Sequence, residues 1–333
     1  VKARHHENFI THVLPFILIG VIALVPLLTR DPYLMHILVL GGIYVILAIG
    51  MNIITGYCGQ INLGMAGFFA VGAYTSALLT TRLSLSFWLA LPTSALVAGV
   101  AGVLVGVPAL KVRGGVYLVL ITTSFAGIVQ VILNQWVSLT KGPMGIVGIP
   151  APAIGNVLIY ERIHWFYLTY AIVAVIVFLA IRLVGSRIGR SFVALRESET
   201  SAQSIGISPA FYKVLAFVCS AVLAGIAGSI YAHYMTTISP DAFGFNLSVL
   251  ALIMIVVGGI GSIPGSIVGG VALALFPEWL RALGPYQSVA YAAGIILAVV
   301  FLPKGLLMMG VDAVQLIRKW FLAPDETSEK EVS

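Results

Sequence analysis

The chain has 333 residues, of which 60% are apolar and only 9% charged, with a mean hydropathy of +1.06. An ordinary soluble domain is roughly a quarter charged, and so few charges cannot cover a globule of this size in water. These values exclude a soluble enzyme, a nucleic-acid-binding domain, a disordered chain and a disulfide-stapled secreted module. The formal charge of +6 fits Lys and Arg retained on the cytoplasmic side of a membrane.

A spanning helix takes about 20 apolar residues, so the chain has room for about ten crossings joined by short loops. The expected fold is an all-α polytopic membrane protein with one domain over 1–323 and a polar tail over 324–333. The first apolar run, Phe9 to Leu28, is too long for a signal-peptide core and no small-residue cleavage pattern follows it, so it reads as a retained first helix. Further helices are predicted over 33–54, 60–80, 86–109, 115–137, 165–184, 210–234, 247–260, 264–280 and 287–308. Asp31-Pro32 and Ser208-Pro209 each set a capping side chain before a proline suited to a first helical turn. Pro303 ends the last span.

Basic residues orient the bundle. With ten crossings and both termini cytoplasmic, Arg30, Arg82, Lys141, Arg162 and Arg281 fall outside, and the other thirteen of the 18 Lys and Arg fall inside. Trp88, Trp136, Trp165 and Trp279 fall at span ends and Trp320 just past the last one, as interfacial tryptophans do. Two connections exceed turn length. Residues 138–164 form a Gly/Pro-rich loop on the periplasmic side, and residues 185–209 a polar segment on the cytoplasmic side. Each is either a plain connection or a working surface, the usual reason for a long loop in a compact domain.

None of the 12 acidic residues falls at mid-membrane, which argues against an ion-coupled carrier, since something must bind the driving ion. His12, His36 and His233 lie near helix ends or lack an acidic partner and read as structural. Cys58 and Cys219 lie in apolar sequence without metal-ligand spacing, so no metal site is expected. No Gly-Lys-Ser/Thr closes a phosphate loop, so ATP, if used, binds another polypeptide.

Uncharged polar groups do occur within the spans. Asn52, Gln60 and Asn62 flank the second and third helices, and Thr122, Thr123, Ser124, Gln130, Asn134 and Gln135 run along the fifth. Gln130 and Asn134 share one helix face. Two readings stand for such groups: interhelical hydrogen bonds, or a polar strip along a passage. The translocation-pathway candidates are Gln60, Asn62, Thr122, Thr123, Gln130 and Asn134.

Small residues form the other pattern. Gly261, Gly265 and Gly269 repeat the close-packing spacing twice, and Gly102 and Gly106 give it once. The run from Gly258 and Gly259 through Gly265 is too broken for one straight helix, and Gly56-Tyr57-Cys58-Gly59-Gln60, with Gly64 beyond it, interrupts the chain likewise. Paired breaks, one in each half, point to a repeat and a translocation pathway.

Residues 189–206 form a short amphipathic stretch. Phe192, Val193 and Leu195 offer an apolar face, Arg190, Arg196, Glu197 and Glu199 offer charges, and Gly206 is placed to stop a helix after Ile205. Such a helix either lies on the lipid surface or docks into a groove of another protein. Ala194 and Ala202 belong to the same segment.

Gly56-Tyr-Cys-Gly-Gln-Ile-Asn-Leu-Gly-Met-Ala-Gly-Phe-Phe-Ala-Val-Gly-Ala-Tyr74 resembles the N-terminal signature of ABC importer permeases for branched-chain amino acids. Residues 189–206, then Tyr212 to Phe217 and Ala224 to Tyr231, resemble their cytoplasmic coupling loop and following helix, and Ile255 to Ser266 resembles their C-terminal half. The likeness runs from about 30 to 310 with its motifs in order, and loop pattern suggests the M-type member of the paired subunits.

The resemblance implies a non-enzymatic transport subunit of the bacterial inner membrane with no cofactor of its own. It pairs with a second permease, two cytoplasmic ATPases that bind ATP and Mg, and a periplasmic solute-binding protein. The 189–206 segment then couples ATPase closure to alternating access around the two Gly-rich breaks. Permeases for urea or short amides are the alternative within this resemblance. An ion-coupled secondary carrier and a passive channel are alternatives outside it.

Overall fold

The computed structural model describes residues 13–29, 31–110, 115–154, 157–301 and 305–307. His12, Arg30, Lys111, Arg113, Lys304, Trp320 and the tail 324–333 lie outside the described residues.

Most apolar runs become helices. These are α1 (Leu14–Ala23), α2 (Pro32–Met51), α3 (Met65–Arg82), α4 (Phe87–Ala109), α5 (Gly115–Gln135) and α6 (Arg162–Gly185). After them come α7 (Arg187–Glu197), α8 (Glu199–Ser204), α9 (Pro209–Met235), α10 (Phe245–Gly258), α11 (Ile263–Trp279) and α12 (Gln287–Phe301). Five stretches among the described residues are long and apolar enough to cross a membrane: Pro32–Tyr57, Phe87–Ala109, Val116–Gln135, Arg162–Gly185 and Pro209–Met235. Leu14–Ala23, Phe245–Gly258, Ile263–Trp279 and Val289–Ala298 are shorter apolar helices. The chain is an all-α polytopic membrane protein.

Local chemistry sets several boundaries. The Asp31 carboxylate accepts from the Tyr33 backbone N–H at 2.9 Å with Pro32 in the first turn, as its side chain suits it to do. Ser208 stands before Pro209 at the start of α9, but its hydroxyl makes no capping bond. The predicted helix over 60–80 begins later, at Met65, and α2 ends in a π-helical turn over Asn52–Tyr57.

At the centre, α9 is flanked by α4, α3 and α2. Small residues permit this crowding. A Cβ on Gly225 would lie 2.5 Å from the Ala98 Cβ and 2.9 Å from the Ser94 carbonyl on α4, and one on Gly228 would strike the Phe69 carbonyl on α3. Gly102 and Gly106 of α4 face Ala221, Phe217 and Val214 of α9. Gly265 and Gly269 press α11 onto the end of α10, whereas Gly261 lies in the break between them.

Connections sort to two ends of the bundle. At one end, Arg82 donates to the Ser138 and Leu139 carbonyls at 2.5 and 2.8 Å, Trp88 donates to the Ala153 carbonyl at 2.8 Å, and Arg162 donates to the Pro32 carbonyl at 2.7 Å. The long loop is ordered there by short strands. β1 (Ile146–Val147) pairs antiparallel with β4 (Thr237–Ile238), and β2 (Ala153–Ile154) with β3 (Val157–Leu158). Trp165 starts α6 at this end but is buried against Phe87 and Tyr234. The other end gathers the two Gly-rich breaks and α7.

His233 ties the loop to the bundle. It is fully buried, with Nδ1 2.7 Å from the Pro150 carbonyl and Nε2 3.0 Å from the Ser76 hydroxyl. A carbonyl only accepts, so Nδ1 carries the proton and Nε2 accepts from Ser76, which in turn accepts from Ser229 at 2.7 Å. Replacing His233 with Leu removes the acceptor of the buried Ser76 hydroxyl, at about 1–3 kcal/mol, and releases the carbonyl of the exposed Pro150. The expected result is faster proteolysis within 146–153 in detergent; unchanged cleavage would show that the strands alone hold the loop.

Candidate functional site

The two Gly-rich breaks meet at one end of the bundle, joined by the Asn52 side chain. Asn52 is fully buried in the π-helical turn. Its amide donates to the Ser262 carbonyl at 2.8 Å and the Ser266 hydroxyl at 2.7 Å, and its Oδ1 accepts from the Gly261 N–H at 2.8 Å. Both amide hydrogens and the carbonyl oxygen are thus used across more than 200 residues of sequence. Gly259 and Gly261, with φ of 128° and 76°, let the chain turn between α10 and α11. Ser262 then caps α11, its hydroxyl accepting from the Gly265 N–H at 3.2 Å.

Arg196 reaches this junction from α7. Its Nη1 donates to the Gly56 carbonyl at 2.6 Å, where the helical turn ends and carbonyls lack intrahelical partners. A cation there also meets the negative end of the helix dipole. Crowding fixes the fit. A Cβ on Gly59, whose φ is +72°, would lie 2.7 Å from the Arg196 Cγ, and one on Gly261 would lie 3.2 Å from Nη1.

The predicted amphipathic stretch is two helices rather than one. Ser186 caps α7 by accepting from the Ile188 N–H at 3.1 Å, and Ser198 breaks the path and caps α8 by accepting from the Ser201 N–H at 3.3 Å. Phe192, Leu195 and Ala202 are buried, with the Phe192 ring edge-on to Tyr212. Glu199 pairs with Lys213 of α9 at 2.7 Å. Gly206 at φ +83° ends α8, where the Ile207 N–H donates back to the Ala202 carbonyl at 3.0 Å. Arg190, Val193, Glu197 and Ile205 remain exposed and Ala194 half-buried, leaving an outward face of mixed charge with an apolar tip.

The family described as "Branched-chain amino acid transport system / permease component" matches residues 33–302. The chain belongs to that family. The permease is 35% identical over 290 residues to the high-affinity branched-chain amino acid transport system permease protein LivM of Escherichia coli (strain K12), covering 80% of this chain and 68% of that one. It is 28% identical to LivH of Salmonella typhimurium, covering 80% of this chain and 92% of that one. It is 26% identical to BraD of Pseudomonas aeruginosa, covering 81% and 93%. No solved structure matches.

The permease's pathway candidates divide by environment. Asn62 is buried and caps its own turn, Oδ1 accepting from the Gly64 N–H at 2.8 Å. Thr122 is buried too, accepting from the Leu63 N–H at 3.1 Å and donating to the Val119 carbonyl at 3.0 Å. These two hold residues 62–64 against α5. Gln60 is half-buried at the same break, its carbonyl accepting from the Thr55 hydroxyl at 3.0 Å. Thr123 has a buried hydroxyl with no partner among the described residues. Gln130 and Asn134 are half-buried farther along α5, where the Asn134 amide donates to the Gln130 carbonyl at 3.0 Å. Asn52 and Arg196 as joint holders of the breaks are not apparent from the sequence. A buried Asn beside a glycine run is the only signal for the first.

Proposed function

We propose that this permease is the M-type subunit of an ATP-driven importer of branched-chain amino acids in a bacterial inner membrane. It crosses the bilayer about ten times with both termini cytoplasmic. It works with a second permease, two ATP-hydrolysing subunits and a periplasmic solute-binding protein. The family match and the named relatives support the substrate class, and the sorting of connections to two ends supports the orientation. Arg82, Lys141, Arg162 and Arg281 share one end with the long loop, while Arg187, Arg190, Arg196 and Lys213 share the other with α7.

The contact of Arg196 with Gly56 carries the mechanism. α7 is packed onto the two chain breaks on one side and leaves Arg190 and Val193 exposed on the other, with Ile205 exposed at the end of α8. A push on that free side by a closing ATPase pair moves α7 against the breaks, and the helices leaving them exchange outward and inward openings. The periplasmic loop offers the surface for the loaded binding protein.

Coupling is tested at the free side, where substitutions leave the core untouched. Val193→Glu and Ile205→Glu alter apolar side chains that are exposed in the chain. In proteoliposomes holding all partners, both variants are expected to assemble yet lose at least about tenfold of leucine uptake and binding-protein-stimulated ATP hydrolysis, since an unpaired charge buried at a docking surface costs several kcal/mol. Wild-type rates in both would remove α7–α8 from the coupling path.

A further inference from the structure

At the end opposite the two breaks, a cavity of about 490 Å3 opens between α2, α10, α11 and α12. That volume lies in the range of small-molecule sites. Its mouth carries both signs of charge. Arg281 Nη1 lies 3.5 Å from Glu278 Oε1, and the Tyr33 hydroxyl donates to Glu278 Oε2 at 2.5 Å. The Arg281 guanidinium is 5.0 Å above the Tyr33 ring, which holds it at the rim. Ile37, Leu40, Leu250 and Leu273 form an apolar patch on the wall, which His36, Tyr44, Gln287 and Tyr291 complete.

Of the four ion pairs among the described residues, this is the one that lines the cavity. The pair is long, single-contact and part-exposed, and such pairs hold together weakly. A ligand offering a carboxylate to Arg281 and an ammonium to Glu278 replaces one weak contact with two charge-assisted hydrogen bonds. A simple cation or anion meets repulsion from one partner. An aliphatic α-amino acid carries both charges on one carbon and a side chain that covers the apolar patch.

We propose that this cavity is a subsite for a zwitterionic aliphatic amino acid at the periplasmic face of the permease. Arg281 takes the carboxylate, Glu278 takes the ammonium, and Tyr33 positions Glu278. The proposal rests on the importer reading above and adds a place on this chain that discriminates zwitterions from singly charged analogues.

The test uses the complete complex of both permeases and the ATPases, purified without the binding protein, and radiolabelled leucine. Saturable leucine binding is expected, weakened at least about tenfold by Glu278→Gln and by Arg281→Gln. On the wild-type complex, which needs no substitution, 4-methylpentanoate and isoamylamine should fail to compete because each is leucine without one of its two charges. Equal competition by either analogue, unaltered binding in both variants, or no saturable binding overturns the subsite. Displacement of leucine by phosphatidylethanolamine, with that lipid lost from both variants, assigns the cavity to a zwitterionic lipid and also overturns it. Leucine uptake by the wild-type complex with its binding protein is measured in parallel. Its absence overturns the importer reading itself, whereas uptake without effect at Glu278 and Arg281 overturns only the subsite.

Discussion

Gly225→Leu is expected to abolish accumulation of the chain in the membrane, while Gly20→Leu leaves it unchanged. Gly225 lies where α9 meets α4 backbone to backbone, and even a methyl group there would fall 2.5 Å from the Ala98 Cβ and 2.9 Å from the Ser94 carbonyl. On its α3 side the same helix is held at Gly72, where a Cβ would run into the Gly225 Cα and carbonyl. With backbone on both sides, α9 cannot step away from one neighbour without striking the other. Overpacking of a closed core costs about 1–3 kcal/mol, and more when the neighbour is backbone rather than a movable side chain. One to two kcal/mol already changes cellular abundance several-fold. Around Gly20 a Cβ meets nothing within 4 Å, so the same substitution there separates crowding from the cost of a larger apolar residue. Quantitative immunoblotting of membranes reads both variants; equal amounts would mean that the bundle opens at its centre without penalty.

These contacts also mark what the sequence can disclose. Most spanning helices are local facts, since a run of about 20 apolar residues in lipid must satisfy its own backbone. The runs at 86–109 and 165–184 accordingly appear as Phe87–Ala109 and Arg162–Gly185. The predicted third helix fails at its start because residues 62–64 satisfy their backbone through other groups. Leu63 donates to Thr122, which is 59 residues away, and Gly64 donates to Asn62. No local pattern shows a partner at that distance, and a Cβ on Gly64 would lie 2.7 Å from the Thr122 carbonyl, which explains why glycine stands there. The two breaks are legible as glycine runs. Their meeting through Asn52 is not, because it depends on how α2, α10 and α11 pack. Likewise the amphipathic pattern of 189–206 marks a surface segment, but the turn at Ser198 follows from a cap on a serine that reads equally well inside one helix.

Arg196→Met and Asn52→Leu are expected to fail in different ways, and the difference tests whether the break junction is a moving part or only a brace. Asn52→Leu removes all three bonds of a buried side chain and orphans the Gly261 N–H, while the Ser262 carbonyl keeps the Ser266 N–H and hydroxyl as donors. The orphaned N–H costs about 1–3 kcal/mol and each of the other lost bonds about 1 kcal/mol, so this variant should melt earlier in detergent, accumulate several-fold less and transport little. Arg196 has a side chain 39% exposed and one bond to the Gly56 carbonyl. Water can take over that carbonyl once the side chain is truncated, so the fold should lose little. The route from α7 to the breaks is lost all the same. Arg196→Met should therefore accumulate and assemble at wild-type levels while leucine uptake falls at least about tenfold, as expected when a rigid contact between two moving elements is removed. Arg196→Lys, which keeps the charge near the helix end and one donor, should restore part of the rate. Melting curves, membrane abundance and uptake, measured on the same preparations, distinguish the cases. If Arg196→Met lowers uptake only in proportion to a loss of folded protein, the junction braces its end of the bundle and the motion passes elsewhere.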